Sequence, residues 1–213
     1  MGVLKNGLLG DFSGRLGNLV IYQMHGKTVV RSFPTVKQKK ATGKRKQYQD
    51  DFAYVMGLMQ MAAKFINVGW KPESKESSPF KKAFSFNLKL YRDLGRPESL
   101  EWLQLSKGSR AGANDIKMNA IGNQEFLLSW GEAEASKFFS ADDRVWVLLV
   151  NERDQSGYYF GTPCTRSHGE VLLKTNLFNK EEPLMAFVCF GEYSPANEYK
   201  SQNVSNSQFV RLT

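Results

Sequence analysis

Residues 14–34 read GRLGNLVIYQMHGKTVVRSFP. Two runs rich in β-branched and aromatic side chains, residues 19–24 and 28–33, flank a His25-Gly26 pair. That pattern predicts two strands joined by a tight turn. Gly26 can take positive φ without a Cβ clash, which suits such a turn. Alternation puts Val29, Arg31 and Phe33 on one face of the second strand and Val30 and Ser32 on the other. Neither face is wholly polar, so the hairpin is expected to pack against something on at least one side. Gly7, Gly10, Gly14 and Gly17 read as turns on the approach.

A basic run follows the hairpin directly: residues 34–46 are PTVKQKKATGKRK. Residues 1–49 carry ten basic side chains and one acidic one, a local excess of +9, whereas the whole chain of 213 residues has a net charge of only +8. The positive charge is therefore confined to the front of a chain that is otherwise balanced. Like charges repel, so this connector is expected to be exposed and mobile when unbound. Lys37, Lys39, Lys40, Lys44, Arg45 and Lys46 are its anion-binding candidates, with Tyr48 close enough in sequence to stack on a base.

From Gln47 the pattern becomes helical. Phe52, Val55, Met56, Met59, Ala62, Ala63 and Ile66 recur at spacings of three and four, which places them on one face. Asp50 and Asp51 are read in the first turn, where carboxylates favour the positive helix end. Gly69, Trp70 and Pro72 mark the exit, and Pro79 suits the start of a second helix. That helix carries the stripe Phe80, Ala83, Phe84, Asn87, Leu88 and Tyr91, and Gly95 and Pro97 stop it. Beyond Leu100 the period shifts towards two. Strands are predicted at 101–105, 116–121, 125–130, 144–151, 157–161, 170–175, 183–192 and 208–212, separated by Gly, Asn, Asp and Ser. The expected fold class is α+β: an N-terminal β-hairpin and two α-helices, residues 1–99, then an antiparallel immunoglobulin-like β-sandwich, residues 100–213. Trp130 or Trp146 would be its core tryptophan.

The motif Gly14-Arg15-Leu16-Gly17-Asn18-Leu19-Val20, then Tyr22, then Gly26-Lys27-Thr28-Val29-Val30-Arg31-Ser32 and Pro34 resembles the N-terminal signature of an uncharacterised bacterial family, one of the domain-of-unknown-function groups. The resemblance covers the first third of the chain; Ala141-Asp142-Asp143 and Thr165-Arg166-Ser167 are weaker matches. It implies helices followed by a β-rich C-terminal half, and it implies no activity. The family's Thr-x-x-Gln-x-x-x-Arg segment after the proline is replaced here by Thr42-Gly43-Lys44-Arg45-Lys46-Gln47.

Chemistry is thinly supplied. Gly26-Lys27-Thr28 lacks the glycine five residues earlier that a phosphate-binding loop requires, since position 21 is Ile. Cys164 and His168 lie four apart, with Cys189 further on. Two cysteines and two histidines in the whole chain leave both a thiol nucleophile with base and orienter, and a zinc site of four ligands, short of groups. Whether the cysteines pair is open at this level. Asp142 and Asp143 suit a turn better than a cation site, because no further oxygen ligands show the spacing. Met56, Met59 and Met61 read as core filling.

The chain is therefore expected to be a non-catalytic binding or assembly module that needs no cofactor or metal. Its partner is expected to be protein, self-association included, through sandwich loops or an exposed strand edge. The alternative is nucleic-acid binding through residues 37–46. The opening residues lack a secretory apolar core, and no apolar run reaches the roughly 18 residues a membrane span needs. The expectation is a soluble, cytoplasmic protein with no membrane partner.

Overall fold

The computed structural model describes residues 2–4, 13–34, 40–70, 78–131, 138–161, 164–192 and 203–213. The chain divides into two compact units, Met1–Gly43 and Lys44–Thr213.

The first unit is a four-stranded antiparallel sheet of β1 (Gly2–Leu4), β2 (Gly14–Leu16), β3 (Leu19–Met24) and β4 (Lys27–Ser32), in the order β1-β4-β3-β2. The predicted hairpin is its centre. Met24 pairs with Lys27, and the two residues between them, His25 and Gly26, both have positive φ, 51° and 71°. A two-residue turn with both φ values positive matches the twist of the strands it joins. Gly17, at φ 58°, turns β2 into β3. Gly14 opens β2 and is not a turn residue, which corrects the sequence reading. Gly7 and Gly10 lie outside the described residues. Ile21 and Val29 occupy opposite faces of the hairpin and both are buried.

The second unit starts with α1 (Gly43–Met61), α2 (Ala63–Gly69) and α3 (Pro79–Asp93). The single stripe read at 52–66 thus spans two helices, which part at Ala62 (φ −90°, ψ 8°). α1 begins four residues before Gln47, so Lys44, Arg45 and Lys46 form its opening turn and are not part of an irregular connector. Asp50 and Asp51 consequently lie deeper in the helix, and no acidic residue occupies its first turn. α3 starts as expected: Ser78 caps it, its side chain accepting from Lys81 N at 3.2 Å, with Pro79 in the first turn.

Seven of the eight predicted strands form: β5 (Asn114–Ala120), β6 (Glu125–Gly131), β7 (Arg144–Asn151), β8 (Gly157–Phe160), β9 (Glu170–Lys174), β10 (Leu184–Gly191) and β11 (Gln208–Arg211). They make two antiparallel sheets, β11-β10-β7-β8 and β5-β6-β9. The predicted strand at 101–105 is irregular chain. Leu100, Trp102, Leu103 and Leu105 are buried there, and its backbone is bonded by side chains in place of a ladder. Asn87 Oδ1 accepts from Gln104 N at 2.8 Å, and its Nδ2 donates to Gln104 O and to Ala83 O, both at 2.9 Å. Leu105 N donates to Ser207 Oγ at 2.9 Å.

β7 and β10 explain the layering. Along them the parity of a residue decides which core it enters. Trp146, Leu148, Val150, Met185, Phe187 and Cys189 belong to a core shared with Val55, Leu58, Phe65 and Ile66 of the helices. Val145, Val147, Leu149, Ala186, Val188 and Phe190 belong to a second core shared with Met118, Phe126, Leu128 and Leu173 of the other sheet. The four-stranded sheet is thus the middle layer, with helices on one face and the three-stranded sheet on the other. The α+β class holds, whereas the expected boundary at 99/100 falls inside the second unit, because helices and sheet share a core. Both tryptophans are core residues, Trp146 on the helical side and Trp130 between the sheets.

Candidate binding edge

A pair of face-to-face sheets has four edges. Two of them close on each other here. β5 and β11 meet through a parallel bridge between Met118 and Leu212, and both the amide and the hydroxyl of Thr213 donate to Met118 O, at 3.1 and 3.0 Å. β8 pairs only with β7, and β9 only with β6, among the described residues. Among the described residues no further strand lies on that side. A groove of about 700 Å³ lies there, with Tyr158, Phe160, Val171, Leu172, Cys164 and His168 among its walls. Tyr158 is 39% exposed and Leu172 42%. Tyr158 and Phe160 stack edge to face, with centroids 4.8 Å apart.

The groove brings Cys164, His168 and Glu170 to one wall, the convergence that would favour thiol chemistry, but their bonds point elsewhere. The Cys164 Sγ lies 3.2 Å from Thr165 O and 3.8 Å from Glu170 O. His168 Nδ1 is 2.8 Å from Thr165 Oγ1 and accepts from Thr165 N at 3.4 Å. Burial pushes the Cys164 thiol above its ordinary pKa, the opposite of what an activated nucleophile needs. Cys189 is fully buried in the helix-side core and is pushed up to about 12 by the same cause. The two cysteines sit in different cores, on opposite faces of the middle sheet, and both are free.

Thr165 also lines a smaller cavity of about 440 Å³, which Arg110, Asp143 and Glu192 share. Asp143, read as a turn former, accepts from Ser140 N at 3.4 Å. It is 1% exposed and faces two arginines, Arg110 Nε at 3.6 Å and an Arg166 guanidinium nitrogen at 3.5 Å. Arg166 also donates to the carbonyls of Ala111 and Gly112 and lies 4.2 Å from the Phe190 ring centroid. Burial outweighs both arginines and raises the Asp143 pKa; burial likewise lowers that of Arg166. Asp142 is exposed. Sequence reasoning missed Arg110 and Arg166 as partners of Asp143, since nothing in their local pattern marks a buried arginine. Among the described residues no three His, Cys, Asp or Glu side chains are grouped to hold a metal ion, and no helix is long and apolar enough to cross a membrane.

Of the basic candidates, Lys37 and Lys39 lie outside the described residues. Lys40 is exposed in the first unit; Lys44, Arg45 and Lys46 are exposed in the second. Lys46 pairs with Asp50 at 3.3 Å. Tyr48 is 51% exposed, and the Arg92 guanidinium lies 4.7 Å from its ring centroid.

Compared with protein-family models and with curated proteins, the chain matches none at a significant level.

Proposed function

We propose that the protein is a non-catalytic binding or assembly module whose contact surface is the side of its paired sheets where β8 and β9 lie. One observation carries this reading: among the described residues β9 pairs with β6 alone and its outer edge borders a groove, while the edges of β5 and β11 seal each other. Unpaired backbone donors and acceptors at an outer edge recruit another strand. The strand order supports an immunoglobulin-like scaffold. The first, second and fifth of the seven strands form one sheet and the third, fourth, sixth and seventh the other. The first and last strands meet in parallel. The connections cross between sheets in the Greek-key manner of such folds. The direction of the Cys164 thiol and its raised pKa favour binding over chemistry in the groove.

Light scattering coupled to size exclusion, with pull-down against defined protein and glycan arrays, tests this. Association is expected for the full chain and is expected to be lost in a Tyr158→Asp, Leu172→Asp double variant that remains folded. A chain that stays monomeric and captures nothing overturns the reading. So does turnover of a substrate that Cys164→Ala abolishes.

A second reading, nucleic-acid binding, is favoured by one observation. Lys44, Arg45 and Lys46 crowd the opening turn of α1, where the helix dipole already presents positive charge and cations weaken the helix. An anionic partner would offset that repulsion. A salt-dependent mobility shift with DNA or RNA, abolished by alanine at these three positions, is the expected outcome. Unchanged binding by that variant would sink it.

A further inference from the structure

We infer that β9 is a self-complementary edge and that the protein associates with a second copy of itself through antiparallel β9–β9 pairing about a two-fold axis. The inference rests on the binding-module reading and names its partner.

Register makes this edge self-complementary. β9 is Glu170-Val171-Leu172-Leu173-Lys174 and, among the described residues, pairs with β6 on one side only. Glu170, Leu172 and Lys174 share its outward face, and all three are exposed. Leu173 is fully buried on the inward face. A two-fold axis through the strand centre sets Leu172 against Leu172 of the second copy. The same axis sets Glu170 against Lys174 of the second copy, and Lys174 against its Glu170. Two opposite-charge pairs then flank one apolar contact. Like charges never face each other in this register, and a one-residue slip breaks the match. Glu170 carries no ion pair among the described residues, so the pairing supplies one. Lys174 already reaches Glu125 at 2.7 Å and would stand between two carboxylates. The result is a continuous six-stranded sheet, β5-β6-β9 followed by the same three strands of the second copy in reverse. The other edge strand on that side, β8, has the sequence Gly157-Tyr158-Tyr159-Phe160. It bears no charge and so specifies neither a register nor a partner.

Charge inversion on the full chain tests this by sedimentation velocity. The wild type is expected to dimerise. Glu170→Lys places Lys against Lys, and Lys174→Glu places Glu against Glu; each is expected to weaken dimerisation about tenfold or more. Mixing the two single variants restores complementarity across the axis, so a heterodimer is expected where neither variant dimerises alone. Leu172→Cys supplies an independent readout: under mild oxidation it is expected to cross-link to itself, because facing residues of paired strands lie within disulfide reach. The buried native thiols should stay out of that reaction. A wild type that is monomeric at all concentrations overturns the inference. A dimer indifferent to both inversions, with no Leu172→Cys cross-link, also overturns it, and it leaves the broader module reading standing with its contact elsewhere. A strict monomer that still captures a defined protein or glycan likewise sinks only the self-pairing.

Discussion

Arg96 Nε donates a 2.7 Å hydrogen bond to Asp51 Oδ1, from a backbone held at φ 66°. A second Arg96 nitrogen reaches Oδ2 at 3.1 Å, and Arg92 Nε reaches the same oxygen at 3.0 Å. The end of α3 is thereby fastened to the middle of α1, and a non-glycine residue is kept in the left-handed region where it is otherwise disfavoured.

Asp51 is 4% exposed, and the hydrogen bond from Arg96, with that from Arg92, holds its carboxyl below the ordinary 3.8 in spite of burial. A carboxylate with a depressed folded pKa contributes stability that is complete above the unfolded value and is lost as pH falls through the folded one. Acid unfolding should therefore steepen below about pH 4, and Asp51→Asn should flatten that limb. At neutral pH Asp51→Ala should cost about 2 kcal/mol, because the arginines are a third exposed and water screens them. Urea titrations across pH measure both; an unchanged acid limb in Asp51→Asn would contradict the assignment.

Asn87 should be among the least replaceable polar residues. It is completely buried and serves both the amide and the carbonyl of Gln104. Asn87→Leu removes the partners of buried backbone groups and should cost about 3 kcal/mol. Asn87→Asp keeps the acceptor but loses both donated bonds, so it should be destabilising too. Chemical denaturation of the two variants, compared with the exposed control Asn67→Ala, provides the check.

Two helical glycines should respond in opposite directions. A Cβ on Gly69 would lie 2.4 Å from Ser106 Cβ and 2.7 Å from the Leu105 carbonyl oxygen, so Gly69→Ala forces α2 off the 105–106 segment. A loss of about 2 kcal/mol or more is expected. Gly57 meets nothing within 4 Å, so Gly57→Ala should gain about 0.5–1 kcal/mol from helix propensity alone. Paired thermal melts decide; equal shifts would mean that the α2 contact is looser than described.

Neither native thiol should react quickly with a disulfide reagent at pH 8. Cys164 points at backbone carbonyls and Cys189 is inside the helix-side core, and burial raises both thiols. Labelling should proceed at the rate of unfolding, with both sites released together in denaturant. Fast stoichiometric labelling of Cys164 in the native protein would show a thiolate that this geometry does not support.

Much of the architecture is legible in the residues. The His25-Gly26 turn, the Pro79 helix start and the strands at 125–131, 144–151 and 184–191 follow from local rules of turn chemistry and periodicity. What escapes them is non-local. The run at 144–151 is apolar at almost every position, which reads as a buried strand but does not say that alternate residues enter different cores. The segment 101–105 has the composition of a strand, yet Asn87 and Ser207 supply its hydrogen bonds from 17 and 102 residues away. Asp51 reads as a helix-start carboxylate because Arg92 and Arg96 are invisible as its partners from 41 and 45 residues away. In the groove, the four-residue spacing of Cys164 and His168 is legible, whereas Glu170 beside them reads only as the start of a strand. The direction of the thiol is not legible, because it depends on where the carbonyls of Thr165 and Glu170 lie.

The two central strands of the middle sheet, β7 and β10, have no face of their own to show to water. Trp146, Leu148, Met185 and Phe187 face the helices, and Val147, Leu149, Ala186 and Val188 face the other sheet. The strands therefore could not be inherited, shuffled or transplanted as a cassette without residues 44–105. An ancestor with a bare pair of sheets would have needed a different, polar set of side chains at every second position of β7 and β10.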